Sequence, residues 1–195
     1  MTLPASYFDR MYAADADPWG LASRWYEQRK YALTLAALPS PTYDRALEIG
    51  CSIGVLTAGL ATRCNSLTAI DPSPVALSAA SRRVPTSVRL IQGSVPDDWP
   101  AATYEVVILS EVGYYLNGED LDRLLDLIDR DLAPDGTVVA CHWRHPVEDY
   151  PLTGDEVHAA LARWPRSSRM EEEDFLLDVL TPRGAVSVAR QEGLA

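Results

Sequence analysis

Cysteine is scarce in this sequence of 195 residues. The three cysteines, Cys51, Cys64 and Cys141, are odd in number and scattered, and no CxxC pair occurs among them. Such a set argues against a disulfide framework and lacks the paired spacing of a zinc site. We therefore expect plain buried thiols and no metal centre.

Long apolar runs and excess positive charge are also missing. No stretch approaches the roughly 20 apolar residues of a membrane span, and the start, MTLPASYFDR, has neither the basic nor the apolar region of a signal peptide. The formal net charge of -11 would repel a polyphosphate along most of the surface. These absences predict a cytoplasmic protein that binds neither a membrane nor nucleic acid.

The chain has the size and composition of one domain. Its 195 residues are 47% apolar, which suits a single core, and neither an internal repeat nor a low-complexity linker is visible. We predict a single domain over residues 1–182, with N-terminal helices in 1–40, an α/β core in 41–182, and a C-terminal tail, 183–195, as the candidate for flexibility. Whether the protein is a monomer or a homodimer is left open.

Short apolar runs alternate with longer segments of helical periodicity. This is the pattern of an α/β protein with a mostly parallel sheet and helices on both faces. The nearly all-apolar runs are typical of strands buried on both faces, and they predict strands at 45–50, 67–71, 88–92, 105–110 and 137–143. Helices are predicted from Pro74 to about Val84 and over GEDLDRLLDLIDRDLAP. After Trp143, TGDEVHAALARW predicts a further helix, and SSRMEEED with FLLDVLTP an antiparallel pair of strands.

The stretch LEIGCSIGVLT combines the end of a strand, a turn with two glycines and the start of a helix. A turn of this kind brings bare backbone and helix N-terminal N–H groups close to a ligand. The dinucleotide fingerprint GxGxxG is absent, because a match from Gly50 would need glycine at Ser52 and Val55. The arrangement that fits is acid-x-Gly-x-x-x-Gly, formed by Glu48, Gly50 and Gly54.

This arrangement resembles motif I of the class I S-adenosylmethionine-dependent methyltransferases. The resemblance implies a Rossmann-like fold with a mostly parallel seven-stranded sheet and an antiparallel C-terminal strand. It also implies S-adenosylmethionine as cofactor and S-adenosylhomocysteine as product. Members of the family often carry a further glycine where this chain has Ser52.

Further features of the resemblance lie at the ends of the other strands. Asp71 in LTAIDPSP stands where the family's acid accepts hydrogen bonds from both ribose hydroxyls. Ser94, with the Val95 backbone, stands at the adenine contact, which is often an aspartate in the family. YEVVILSEVGYYL resembles motif IV, whose end faces the reactive methyl group. The cofactor-binding residues expected on these grounds are Glu48, Gly50, Cys51, Ser52, Gly54, Asp71, Pro72, Ser94, Val95 and Ser110.

Longer phrases give a closer resemblance. DPWGLASRWYEQRKYALTLAALP, EIGCSIGVLT, LSEVGYYL and HWRHPVEDYPLTGDEVH are similar to the family that includes the nodulation-factor N-methyltransferases, over roughly residues 7–181. In that family the acceptor is an amine on the deacylated glucosamine of a chitin oligosaccharide, and relatives act on other small molecules. The resemblance implies N-methylation of a small-molecule amine. The alternatives are O-methylation of a small phenol or sugar hydroxyl, and a non-catalytic S-adenosylmethionine-binding partner subunit.

Displacement at a sulfonium methyl mainly requires alignment of the reacting atoms, so the reaction implied needs no metal. Glu111 is predicted to stabilise the positive charge that develops on the attacking amine, and His142 or His145 to accept its proton. Alternation along the strand could place His142 in a pocket with Tyr114 and Tyr115.

The segment before the first strand is rich in aromatic and charged residues. Helical spacing places Tyr26, Arg29 and Lys30 on one face. We predict that this helix, with Tyr26, covers the methionine end of the cofactor and that Arg29 pairs with its carboxylate. The alternative is a helix that packs its aromatic side chains on the edge of the sheet.

Overall fold

A sheet of seven strands organises the computed structural model, which describes residues 1–184 and 186–195. The strand order is β3-β2-β1-β4-β5-β7-β6. The strands are β1 (Tyr43–Ile49), β2 (Cys64–Asp71), β3 (Arg89–Gln92), β4 (Tyr104–Ser110), β5 (Leu132–Trp143), β6 (Arg166–Glu171) and β7 (Phe175–Leu180). Strands β1 to β5 pair in parallel, whereas β7 runs antiparallel to both β5 and β6. The predicted mostly parallel sheet with an antiparallel C-terminal strand is confirmed.

Helices cover both faces of the sheet. They are α1 (Ala5–Ala14), α2 (Trp25–Ala36), α3 (Val55–Leu60), α4 (Pro74–Ala80), α5 (Gly118–Asp131), α6 (Gly154–Ala160) and α7 (Val188–Gln191). The sequence of α5 shows why it forms: the Asn117 side chain accepts a hydrogen bond from the Asp120 N–H at 2.9 Å, and acids occupy its first turn. Its buried residues, Leu121, Leu124, Leu125 and Ile128, form one apolar stripe.

Alternate residues of the central strands build two cores. Val107 and Val138 belong to the core that α5 and α6 cover. Val106 and Val139 belong to the opposite core, which α2 and α3 cover. Burial on both faces explains the continuous apolar runs of the sequence.

Several elements differ in length from the prediction. The helix expected from Pro74 to Val84 ends at Ala80, and β5 begins at Leu132 because Leu132 pairs with Tyr104 ahead of a register shift. The short helix α7 lies within the predicted tail 183–195, of which Ala185 lies outside the described residues. No helix in the described part of the chain is long and apolar enough to cross a bilayer.

Candidate active site

A cavity of about 450 Å³ lies beyond the carboxyl ends of β1 to β4. The strand order reverses between β1 and β4, and ligands of open α/β sheets bind at such a point. Helices α1 and α2 contribute the opposite wall. Most of the predicted site residues line the cavity: Tyr26, Glu48, Gly50, Cys51, Ser52, Asp71, Pro72, Ser94, Val95, Ser110, Glu111, Tyr114 and Tyr115.

The turn after β1 requires glycine at its first position. Gly50 has a φ of 73°, in the left-handed region that side chains disfavour. A Cβ added there would lie 2.2 Å from Cγ2 of Val112 in the turn after β4. The bare backbone at Gly50 therefore lets two cavity-lining turns pack against each other.

Gly54 has a packing role, which corrects its expected place in the cavity. It is the N-cap of α3 with a φ of 79°, and it is not among the cavity-lining residues. An added Cβ would lie 3.0 Å from the Cα of Ala80. Gly54 thus allows α3 and α4 to approach closely, and it shapes the turn without lining the cavity.

Ser52 links the glycine turn to two other parts of the site. Its φ of 50° is unusual for a residue with a side chain, and it stands where the related methyltransferases often have glycine. Its N–H donates to Oδ2 of Asp71 at 2.8 Å. Its hydroxyl forms a hydrogen bond with the hydroxyl of Tyr12 on α1. The serine therefore connects the turn to both β2 and the helical wall.

Asp71 is a buried carboxyl at the end of β2. Both of its oxygens accept backbone hydrogen bonds, one from Ser52 and one from the Ser73 N–H at 2.9 Å. Burial nevertheless raises the pKa of Asp71 to about 6. Each oxygen retains a lone pair, so the side chain can accept hydrogen bonds from a pair of hydroxyls.

Glu48 lies deeper, at the end of β1. It is 2% exposed, and burial raises its pKa to about 8. Its Oε2 has no hydrogen-bond partner within the described chain. A buried carboxyl oxygen of this kind is suited to a donor or a cation brought by a ligand.

Glu111 is held rigidly at the end of β4. Its backbone is left-handed, with a φ of 58°. Its Oε1 lies 2.5 Å from the Lys30 Nζ, and its Oε2 accepts from the Tyr114 hydroxyl and, at 3.0 Å, from the Trp143 N–H. These donors fix the carboxylate at the cavity wall.

Lys30 is the buried cation of this region. Its side chain is 3% exposed and also lies 3.0 Å from Oε2 of Glu27. Burial would lower the pKa of Lys30, but the carboxylates of Glu111 and Glu27 raise it above its usual value. Lys30 therefore carries its charge at the cavity wall.

The two histidines lie outside the cavity, which corrects their expected place. His142 is fully buried: its Nε2 accepts from the Gly113 N–H at 3.1 Å, and its Nδ1 lies 3.1 Å from His158. Burial lowers the pKa of His142 well below its usual value. His145 is half-exposed, and its Nε2 lies 2.8 Å from Oδ1 of Asp174. Neither ring lines the cavity.

Arg29 is also directed elsewhere, and Arg24 takes its place at the cavity. Both guanidinium nitrogens of Arg29 donate to Glu172, at 2.6 and 2.8 Å. Arg24, the N-cap of α2, lines the cavity instead. The helix begins one residue after Arg24, and spacing within the helix could not reveal the orientation of a residue outside it.

Aromatic side chains form much of the cavity wall. Tyr114 stacks on Tyr150 with ring centroids 4.9 Å apart, and Tyr12 meets Trp19 edge to face at 5.5 Å. The expectations from the sequence included only part of this set. The aromatic lining consists of Phe8, Tyr12, Trp19, Tyr26, Tyr31, Tyr114, Tyr115, Trp143 and Tyr150.

The strand order and the cavity at the strand switch point are those of the class I methyltransferase fold. Three acidic residues line that cavity: Glu48 near the end of β1, Asp71 at the end of β2 and Glu111 just after β4. The chain belongs to the nodulation protein S family, whose family model matches residues 7–156.

Individual relatives agree with this assignment. Nodulation protein S of Rhizobium tropici is 32% identical over 67% of this chain and 56% of its own length. The crystal structure of the N-methyltransferase NodS from Bradyrhizobium japonicum WM9, in complex with S-adenosylhomocysteine, is 25% identical and covers 92% of this chain and 98% of its own, with a TM-score of 0.83. A crystal structure from Pseudomonas syringae, of a candidate methyltransferase, is 42% identical and covers 81% of this chain and 99% of its own, with a TM-score of 0.72. The matched regions span between 56 and 64% of the length of the curated relatives.

Proposed function

We propose that the protein transfers a methyl group from S-adenosylmethionine to an amine of a small-molecule acceptor and releases S-adenosylhomocysteine. The observation that carries this proposal is the convergence of Glu48, Asp71 and Glu111 on one cavity beside the bare turn at Gly50. Its volume of about 450 Å³ is within the range of small-ligand sites. The N-methyltransferase NodS from Bradyrhizobium japonicum was crystallised with S-adenosylhomocysteine, which supports the same ligand here.

The residues of the cavity fit the parts of this cofactor. Asp71 would accept hydrogen bonds from the ribose hydroxyls, and the turn from Gly50 to Ser52 would lie against the ligand with exposed backbone. The unpartnered Oε2 of Glu48 would accept a hydrogen bond from the cationic amino group of the cofactor's methionine part. Ser94 and Val95 would border the adenine. When bound, the sulfonium supplies an activated methyl group.

The acceptor side is the wall formed by Glu111 and the aromatic rings. An amine attacks in its neutral form and becomes positively charged as the new bond to carbon forms. The Glu111 carboxylate, fixed by Lys30 and Tyr114, would stabilise that charge as it develops. The methylated ammonium can release its proton to water afterwards, so the transfer step needs no histidine base.

Among the described residues, the bases that line the cavity are carboxylates and not histidines, which favours an amine acceptor over a hydroxyl. No histidine lines the cavity in the part of the chain that the structure describes. Burial raises the pKa of Tyr26 and of Tyr31 above the usual value, so neither phenol is ionised at neutral pH. A sugar hydroxyl needs a base before it can attack, whereas an amine becomes nucleophilic by losing the proton of its ammonium form.

An acceptor screen tests the proposal. Aminosugars, including glucosamine-terminated oligosaccharides, would be assayed beside phenols and hydroxyl sugars, with S-adenosylhomocysteine as the readout. We expect turnover of amines with a rate that rises with pH as the acceptor loses its proton. Activity confined to hydroxyl acceptors would contradict N-methylation. Cofactor binding without turnover of any acceptor would favour the partner-subunit alternative.

Glu111→Gln is expected to lower kcat for the amine about tenfold and to change the affinity for S-adenosylhomocysteine by less than about threefold. The reason is that Glu111 would act on charge that appears only in the transition state. Glu119→Gln on the exposed start of α5 is the matched control and should leave both quantities unchanged. Equal losses of kcat and cofactor affinity would move Glu111 to the cofactor side of the site.

Asp71→Ala is expected to weaken S-adenosylhomocysteine binding by about 1.5–3 kcal/mol, the range for hydrogen bonds to a charged group. Because hydrogen bonds from the ligand favour the ionised form of Asp71, binding should release a proton when the pH is below the unliganded pKa of about 6. The affinity of the unchanged protein should therefore fall as the pH drops through 6. Calorimetric titrations from acidic to neutral pH measure this. If the affinity of the Asp71→Ala variant falls as steeply with pH as that of the unchanged protein, Asp71 is not the group responsible.

Arg24→Gln is expected to weaken S-adenosylhomocysteine binding about five- to tenfold, because it would remove a charge-assisted hydrogen bond to the carboxylate of the ligand's amino-acid part. Arg29→Gln on the same segment makes a matched comparison, because its ion pair with Glu172 lies away from the cavity. Its affinity should stay within about twofold of the original value. The reverse ranking would restore Arg29 to the site.

A further inference from the structure

A chain of buried polar groups lies behind the acceptor wall and has no part in the proposed mechanism. The Gly113 N–H donates to Nε2 of His142 at 3.1 Å. The Nδ1 of His142 lies 3.1 Å from Nε2 of His158, and Nδ1 of His158 lies 2.7 Å from Oδ2 of Asp178. His142, His158 and Asp178 are at most 2% exposed. Arg169 donates to both oxygens of Asp178 at 2.7 Å from the exposed strand β6.

The hydrogen bonds allow one arrangement of protons. Because a backbone N–H can only donate, Nε2 of His142 must be unprotonated, and its proton must lie on Nδ1. That proton is donated to His158, whose own proton then lies on Nδ1 and is donated to Asp178. Burial would raise the pKa of Asp178, but the hydrogen bonds from Arg169 and His158 hold it well below its usual value. Two neutral imidazoles thus connect a backbone amide to an ionised carboxylate, and every N–H along the chain points toward that carboxylate.

The inner end of the chain lies at the turn that carries the acceptor wall. Gly113 begins the 3₁₀ turn Gly113–Tyr115, between Glu111 and Tyr114. Glu111 has the left-handed backbone described above, a conformation that persists only where surrounding contacts hold it. Tyr114 packs edge to face on the His142 ring with centroids 5.4 Å apart. The histidine therefore contacts the turn in two ways, by the hydrogen bond to the Gly113 N–H and by the packing of its ring against Tyr114.

We infer that His142, His158 and Asp178 are positioning residues, which hold the turn 111–115 so that Glu111 and Tyr114 stay in place at the acceptor. This inference rests on the proposed function, because it gives the chain a role in methyl transfer. None of the three residues lines the cavity. They act through the Gly113 amide and the Tyr114 ring.

The test compares two substitutions of His142. His142→Phe keeps a planar ring but leaves the Gly113 N–H without an acceptor, and it should lower kcat at least about tenfold while the S-adenosylhomocysteine affinity changes less than about threefold. His142→Gln provides an amide that can accept from Gly113 and donate to His158, and it should recover most of the lost kcat. Val139→Ala, on the opposite face of β5, controls for loss of stability alone. A kcat for His142→Phe equal to that of the Val139→Ala control would overturn the inference.

Two further measurements can be made without a methyl-accepting substrate. In His142→Phe, hydrogen exchange at the amides of 113–115 should accelerate about tenfold while the amides of β4 stay protected. Unchanged exchange at the turn would overturn the inference. Imidazole nitrogen NMR of the unchanged protein should show the Nδ1–H form for both His142 and His158 at neutral pH, and an Nε2–H form at either would also overturn it. Failure of every amine acceptor would refute the proposed function, and these two measurements would still test whether the chain holds the turn.

Discussion

Gly50→Val is expected to abolish S-adenosylhomocysteine binding, with a loss of more than about a hundredfold. The added Cβ would lie 2.2 Å from Cγ2 of Val112, and the backbone there has a φ of 73°. The side chain would therefore occupy the space between two cavity-lining turns, and the conformation itself would be strained by about 1–3 kcal/mol. Calorimetry with the ligand measures the binding, and circular dichroism reports whether the fold is retained.

Gly118→Val is the matched control for this substitution. Gly118 begins α5 on the surface, and an added Cβ there would have no neighbour within 4 Å. The control should bind the ligand as the unchanged protein does. If Gly50→Val keeps an affinity within tenfold of the original, the turn after β1 does not lie against the ligand.

Lys30→Met is expected to lower the free energy of unfolding by about 3–5 kcal/mol at neutral pH, because it leaves two carboxylates without their buried partner. The cation stabilises the fold throughout the range below the ordinary pKa of a lysine, since its pKa in the folded protein is raised. Burial raises the pKa of Glu27 even with Lys30 present. Without Lys30, the pKa of Glu27 is raised further in the folded protein above its value in the unfolded chain. Protonation of Glu27 therefore stabilises the folded state, and the variant should regain stability as the pH is lowered.

Denaturant titrations at pH values on either side of neutrality measure this difference. Arg29→Met on the same helix is the control, because its ion pair with Glu172 is partly exposed and is expected to contribute less than about 1 kcal/mol. An equal loss in the two variants, or a Lys30→Met loss that grows as the pH is lowered, would contradict the buried-cluster explanation.

The strands and the acids at their ends could be predicted because both depend on local sequence. Buried parallel strands appear as apolar runs, and the residue that follows each run lies at the ligand side of the sheet. Asp71 and Glu111 lie at the ends of such runs, whereas Glu48 belongs to the spacing of the glycine turn, and all three line the cavity. The glycine turn was found from spacing alone, although only Gly50 of its two glycines faces the cavity.

The placement of His142 and Arg29 could not be predicted because their partners are distant in the chain. His142 is bound by His158 on α6, and Arg29 by Glu172 beyond β6. A histidine next to a predicted active-site strand gives the same sequence pattern whether it faces a ligand or a buried partner. The antiparallel pair β6 and β7 was predicted as strands, but its position beside β5, which brings Glu172 to Arg29, is a property of the tertiary fold.

Two arginines of β6 lie at the exposed edge of the sheet. β6 is the last strand on its side, and each of its six residues is exposed. An open strand edge can add a strand from another molecule and so begin aggregation, and inward-pointing charges are one natural safeguard against this. Arg166 and Arg169 point inward to the buried Asp178, at 2.8 and 2.7 Å. A strand added at this edge would lie beside these two charged side chains, and charge on an edge strand disfavours such pairing.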